Sequence, residues 1–255
     1  MAGTDSTQAP KLGGPAVILI EPQLGENIGA AARAMLNCGL TDLRLVNPRD
    51  GWPNPKAQAM ASGALDGHVD ATIHDSTAAA IADLNYVLAT TARHRFMSKP
   101  IYTARQGALE LRCRFGAGQR TGLLFGAERS GMTNDDVALA DAILTVPLNP
   151  AFSSLNLGQS VLLVGYEWYL TDDATPSLAF EDKGSPPASK ADLVNFFERL
   201  EAALDSTGFL RLADKRPTMV RNLRNLFQRA ELTEQELKTL HGVIVSLMRG
   251  PAADG

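Results

Sequence analysis

Short apolar runs alternate with longer amphipathic ones over the first two thirds of the chain. Residues 16–20 are apolar throughout and end at Glu21-Pro22, the pattern of a strand buried on both faces. Asn27 can cap a helix that carries Ile28, Ala31, Ala32, Met35 and Leu36 on one side and stops at Gly39, a residue suited to a helix C-terminus. A strand at 43–46 follows, closed by Asn47-Pro48. The alternation repeats with a short helix at 56–65, a weak strand at 71–74, a helix at 76–83 and a strong strand at 86–90. Beyond a basic loop come a helix at 103–115, a strand at 122–125, a short helix capped by Thr133, a strand at 142–146 and a long apolar helix. Alternating elements of these lengths predict an α/β domain with a mainly parallel sheet. The order of the strands is not legible from this pattern.

The long helix is apolar nearly all round, with Leu155, Leu157, Val161, Leu162, Leu163, Val164 and Tyr166, and reads as buried. Its polar residues gather at its start, Ser153, Ser154 and Asn156 with Gln159 one turn on, where unpaired backbone N–H groups also collect. Such a place binds polar ligands, although spacing alone favours an ordinary capped core helix after a Pro-bounded turn. Gly158 and Gly165 lie seven apart on one face, where another backbone can come close, in this chain or in a second subunit.

After the helix, residues 171–189 turn acidic and rich in Pro and Ser, the composition of a linker. Residues 190–250 then read as three amphipathic helices in a small helical C-terminal domain. Ser189 with Asp192 opens the first, the second runs over 217–229 with Met219, Val220, Leu223, Leu226 and Phe227 inward, and Thr233 with Glu236 forms a capping box for the third. Arg211, Lys215, Arg216, Arg221, Arg224 and Arg229 mark its outer faces as a second nucleic-acid contact or a merely solvated basic surface.

Composition narrows the class. No run of about 18 apolar residues occurs, so no membrane partner is expected. Residues 1–14 lack the basic and apolar regions of a signal and read as a disordered tail. The two cysteines, Cys38 and Cys113, have no metal-type spacing and suit reduced thiols in a cytoplasmic protein. The four histidines are scattered, so no metal is expected. Net charge is −4, but residues 92–120 carry Arg93, Arg95, Lys99, Arg105, Arg112, Arg114 and Arg120 against Glu110 alone, a local +6 that leaves −10 elsewhere. No Gly-Lys pair, no G-x-G-x-x-G after the first strand and no G-x-S-x-G is present, which argues against a Walker loop, a dinucleotide fingerprint and a hydrolase elbow.

Three stretches carry the chemistry: EPQLGENIGAAARAM (21–35), LLFGAERSGMTNDD (123–136) and VPLNPAFSSLNLGQSVLLVGYE (146–167). In this order they resemble the three motifs of the SPOUT class of RNA methyltransferases, specifically the TrmH-like ribose 2′-O-methyltransferases, and within them the group that methylates tRNA in the anticodon loop. The resemblance covers residues 15–170. It implies a SPOUT domain with a C-terminal trefoil knot that forms the pocket for S-adenosylmethionine, a homodimer built through the knot region, and tRNA as partner. The implied target is the pyrimidine at nucleotide 32, with ribosomal RNA or catalytically silent RNA binding as alternatives.

By resemblance, Arg33, Asn27, Glu128, Ser154 and Asn156 form the catalytic set. The resemblance likewise implies that Thr90, Thr91, Ala92, Gly126, Val146, Pro147, Ser153, Ser154 and Leu155 hold the cofactor; Arg33, and from the basic loop Arg93, Arg95 and Lys99, are expected to contact RNA. Arginine keeps its proton at physiological pH, so Arg33 is expected to grip a phosphate and orient the 2′-OH, not to act as a base. Glu128 is expected to orient the motif helices or Arg33.

Overall fold

The computed structural model describes residues 11–92, 97–175 and 184–249. The chain divides into two compact units, residues 1–175 and 176–255. In the first, seven strands form one sheet: β1 (Ala16–Ile20), β2 (Asp42–Val46), β3 (Asp70–His74), β4 (Tyr86–Thr90), β5 (Ile101–Thr103), β6 (Thr121–Phe125) and β7 (Ala142–Thr145). Their order is β3-β2-β1-β6-β4-β7-β5, and every pairing is parallel.

Helices cover both faces, which is why the central strands read as unbroken apolar runs. Alternate residues serve opposite cores. Val17, Leu19, Leu43, Leu45, Leu123 and Phe125 pack on one face, where α1 (Gly25–Asn37), α2 (Pro55–Ala61), α4 (Ala104–Gly116) and α6 (Leu157–Leu170) lie. Ala16, Ile18, Ile20, Val87, Ala89 and Leu124 pack on the other, against α3 (Thr77–Ile81) and α5 (Asn134–Leu139). β5 escaped the sequence pattern because it is a three-residue edge strand behind Pro100, too short to show a period.

Four further expectations change. Asn27 is not the cap of α1: the helix begins at Gly25, and Asn27 sits inside its first turn with its side chain directed to another segment. Lys11 to Gly14 are not a tail, since the Gly13 N–H donates to Gly39 O at 2.9 Å and the Lys11 carbonyl lies against Gly39; residues 1–10 fall outside the described residues. α6 is buried on one side only. Gly158 lies against Ala30 and Gly165 against Cys38, so the small residues serve the α1–α6 contact within this chain, while Leu162, Leu163, Tyr166 and Leu170 are exposed on the other side.

The fourth concerns the basic stretch, which is not one open surface. Arg105 pairs with Glu167 at 3.1 Å, Arg114 with Glu110 at 2.7 Å and Arg120 with Asp83 at 2.5 Å. Arg112 stacks on Trp168, 3.6 Å from the ring centroid. The fold supplies acids and an aromatic face that sequence spacing does not reveal.

The second unit holds α7 (Lys190–Ser206), α8 (Arg216–Gln228) and α9 (Glu234–Arg249) around Leu193, Phe196, Phe197, Leu237 and Ile244. Ser189 and Asp192 cap α7 reciprocally, as Thr233 and Glu236 do α9. Leu226, expected inward, is exposed, and Arg216 and Arg224 are held by Asp205 and Glu201. Among the described residues no helix is long and apolar enough to cross a membrane.

Candidate active site

A cavity of about 310 Å³ opens at the C-terminal ends of β4, β6 and β7, where open parallel sheets present ligand sites. Its floor is apolar and buried, with Phe125, Leu144, Leu157 and Val164. Its rim is polar and open, with Arg129, Ser153 and Ser154 exposed. Thr90, Thr91, Ala92, Gly126, Val146, Ser153, Ser154 and Leu155 all line it. Pro147 is not among the lining residues, whereas Leu148 is. The Thr90 hydroxyl donates to Leu124 O at 2.7 Å and ties β4 to β6, so this threonine fixes the wall of the cavity as well as lining it.

Glu128 joins the second motif to the first. Its carboxylate accepts hydrogen bonds from Gln23 N at 2.8 Å, Leu24 N at 3.3 Å and Asn27 Nδ2 at 2.7 Å. Leu24, at the N-cap position of α1, has no side chain able to cap the helix. Glu128 supplies from a distant loop the negative charge and acceptor that a helix start favours. The turn that carries it is tight: a Cβ at Gly126 would approach Met132 N to 2.3 Å, and Gly131 has φ of 69°.

Asn27 joins the first motif to the third. Its Oδ1 accepts from Asn156 Nδ2 at 2.8 Å, and Asn156 Oδ1 in turn accepts from Gly158 N at 2.9 Å and Gln159 N at 3.4 Å, capping α6. Asn156 thus both caps α6 and ties it to Asn27. The hydrogen bonds fix both amide orientations: Asn27 offers its NH2 to a carboxylate and its oxygen to Asn156. Glu128, Asn27 and Asn156 form one chain of hydrogen bonds across all three motifs, and Ser154 precedes it on the cavity rim.

Arg33 is not brought into this cluster. It is exposed on the outer stripe of α1, with Glu26, Ala30 and Asn37, and makes no hydrogen bond or ion pair among the described residues. Glu128 therefore orients helix α1 and not the Arg33 side chain. Ala30 on the same stripe touches Gly158, which places Arg33 one turn further along α1, on the stripe that borders the start of α6. Lys99 is engaged by carbonyl oxygens at the C-terminal end of α5, Ala138 O at 3.0 Å and Ala140 O at 2.5 Å. Arg93 and Arg95 lie outside the described residues. Sequence reasoning missed the apolar floor, because its residues are indistinguishable in pattern from core.

Residues 14–166 match the model of the SpoU rRNA Methylase family, and residues 191–254 match that of the tRNA methyltransferase TrmJ C-terminal domain. The tRNA (cytidine/uridine-2′-O-)-methyltransferase TrmJ of Salmonella typhimurium is 36% identical over 236 residues, 91% of this chain and 95% of the relative. The crystal structure of TrmJ from Z. mobilis ZM4 superposes with a TM-score of 0.78 at 46% identity, covering 91% of this chain and 98% of that one. A probable methylase family protein from Haemophilus influenzae Rd KW20 gives a TM-score of 0.57 at 30% identity, over 92% of this chain and 95% of that one. Three motifs tied by hydrogen bonds beside one cavity, on a sheet of this order, agree with these likenesses along nearly the whole chain: it belongs to the SpoU methylase family and carries a C-terminal domain of the TrmJ type.

Proposed function

We propose that this chain is an S-adenosylmethionine-dependent tRNA ribose 2′-O-methyltransferase that acts in the anticodon loop, on the pyrimidine at nucleotide 32, and works as a homodimer in the cytoplasm. The observation that carries the reading is the Glu128–Asn27–Asn156 chain of hydrogen bonds, which ties the first motif to the second and third, the two that line the cavity. A protein that only bound RNA would not require this arrangement beside a closed apolar floor.

The cavity suits the cofactor by the chemistry of its walls: the buried apolar floor accepts an adenine and the aliphatic part of the methionine chain, and hydroxyl and main-chain groups at the rim accept polar ends. Thr90, Thr91, Ala92, Gly126, Val146, Pro147, Ser153, Ser154 and Leu155 would hold it. S-adenosylmethionine, when bound, supplies an electrophilic methyl group. The chain's own contribution is then positioning. Ser154 and Asn156 orient the ribose, with Asn156 locked by Asn27 and by its capping bonds. The trefoil crossing of the segments after β6 and β7 belongs to the same proposal.

In the homodimer, the exposed apolar side of α6 meets its equivalent in the partner. Arg33 stands on the neighbouring stripe of α1, so closure of that face carries its guanidinium toward the partner's cavity. There it grips the phosphate beside the target ribose and orients the 2′-OH, whose proton passes to that phosphate or to water. An exposed arginine with no partner among the described residues fits a role completed by assembly. Arg93, Arg95 and Lys99 remain candidate RNA contacts in this proposal, Lys99 only if it leaves its carbonyl partners.

The test is methyl transfer from labelled S-adenosylmethionine to total tRNA and, separately, to ribosomal RNA, followed by digestion to nucleosides, with Arg33→Ala alongside. A 2′-O-methylated pyrimidine from tRNA that disappears in the variant supports the reading. Label in ribosomal RNA alone replaces the substrate, and no label with no cofactor binding leaves a silent RNA-binding protein.

A further inference from the structure

Arg129 has no part in the hydrogen-bond chain described above, yet it lines the cavity. The loop that carries it is closed on itself: Gly131 N–H donates to Ala127 O at 2.8 Å, and the two residues form an antiparallel bridge. Three hydrogen bonds on Glu128 fasten the same loop to the start of α1. The backbone of Arg129 is therefore held at the tip of a rigid turn. Its side chain is exposed and makes no hydrogen bond or ion pair among the described residues. Glu128, the acid next to it in sequence, is instead directed to Gln23, Leu24 and Asn27.

A guanidinium whose backbone is fixed at the mouth of a cavity, and which no described residue pairs, is organised in advance for an oxyanion. Two oxyanions come within the chemistry of this site: the carboxylate of the cofactor and a backbone phosphate of RNA. Arg129 stands on the exposed rim, beyond the buried apolar floor, and its open side chain at the tip of the turn suits an extended polyanion better than one end of a cofactor seated in the cavity.

We propose that Arg129 binds a backbone phosphate of the substrate RNA and so fixes the register of the target ribose over Ser154 and Asn156. The assignment rests on the methyltransferase reading above and adds to it a substrate-binding residue. Arg33 and Arg129 then hold the RNA from two different elements, a helix and a turn.

The experiment uses the full-length protein as wild type, Arg129→Gln and Arg129→Lys. It measures tRNA methylation over a range of salt concentrations and, by calorimetry, binding of S-adenosylhomocysteine. Arg129→Gln is expected to raise KM for tRNA about ten- to hundredfold, as loss of one charge-assisted contact would. It should also lower the slope of log affinity against log salt by about 1 and leave S-adenosylhomocysteine affinity unchanged. Arg129→Lys should recover the salt slope but only part of KM, because the charge returns without the planar fork. Weaker S-adenosylhomocysteine binding with unchanged KM for tRNA would move the guanidinium to the cofactor carboxylate and overturn the assignment, as would no change in either. Failure of the wild type to methylate tRNA would overturn the methyltransferase reading itself, and that control is scored before the variants.

Discussion

Asn27→Ala removes the middle of the chain of hydrogen bonds that joins the three motifs. Two bonds go at once: the 2.7 Å bond to the Glu128 carboxylate and the 2.8 Å bond from Asn156. A hydrogen bond to a charged group contributes about 1.5–3 kcal/mol and a neutral one about 0.5–1.5 kcal/mol. Asn27 is only 9% exposed, so water does not replace it from the α1 side. Glu128 and Asn156 are more open and recover part of their solvation, which brings the expected loss to about 2–3 kcal/mol. For a unit of this size that is a fall in Tm of about 5–10 °C. Trp52 and Trp168 are the two tryptophans of the chain and both lie in the first unit, so fluorescence reports its unfolding without interference from the helical unit.

The same cycle tests whether the three residues act as a unit. Asn27→Ala and Glu128→Gln, alone and together, should be non-additive by about 1 kcal/mol or more, since they share one bond. Asn27→Asp should be worse than Asn27→Ala near neutral pH, because it replaces a donor with a second carboxylate at hydrogen-bond distance from the first. A Tm within about 2 °C of wild type for Asn27→Ala, or strictly additive effects, would refute the linkage of the motifs drawn from these distances.

Other parts of the structure give independent outcomes. Gly29→Ala would set a Cβ within 2.2 Å of Ala57 O and should force α1 and α2 apart, with a loss of at least about 1–3 kcal/mol in urea unfolding; wild-type stability would show that the helices slide freely. Asp83 has its pKa held below the ordinary carboxylate range, first by the hydrogen bond from Arg44. A depressed carboxylate contributes stability above its unfolded pKa of about 4 that is lost as pH falls through the lower folded value. The urea midpoint of the wild type should therefore drop on acidification below about pH 4 more steeply than that of Asp83→Asn, and parallel curves would contradict the assignment. Removal of residues 188–255, which carry their own core, should weaken tRNA affinity in a gel-shift titration if this unit docks RNA, and unchanged binding by the truncated protein rejects that role.

What the sequence exposes and what it hides follow from the range of the interactions. Strand runs and the caps at Thr133, Ser189 and Thr233 are set by residues two to four apart and stand where the pattern places them, whereas α2 ends at Ala61, four residues short of the pattern, and α6 keeps an apolar side exposed. Asn27 was legible as a polar residue at a helix start, but its partner Glu128 is 101 positions away, so cap and tertiary bond could not be told apart before the fold was known. The basic stretch misled for the same reason: the acids that neutralise Arg105 and Arg120, Glu167 and Asp83, come from other elements. Arg44 is the sharpest instance. It interrupts an apolar strand and is 6% exposed, yet its guanidinium meets Asp42, Asp83 and the Ala80 carbonyl, a set of partners gathered from β2 and the end of α3. Breaking one partner of such a cluster leaves a buried charge uncompensated. Arg33 is the opposite case. Its motif makes it a candidate, but it is exposed and makes no hydrogen bond or ion pair among the described residues, so the geometry of one subunit assigns it no role, and the role proposed above rests on the homodimer.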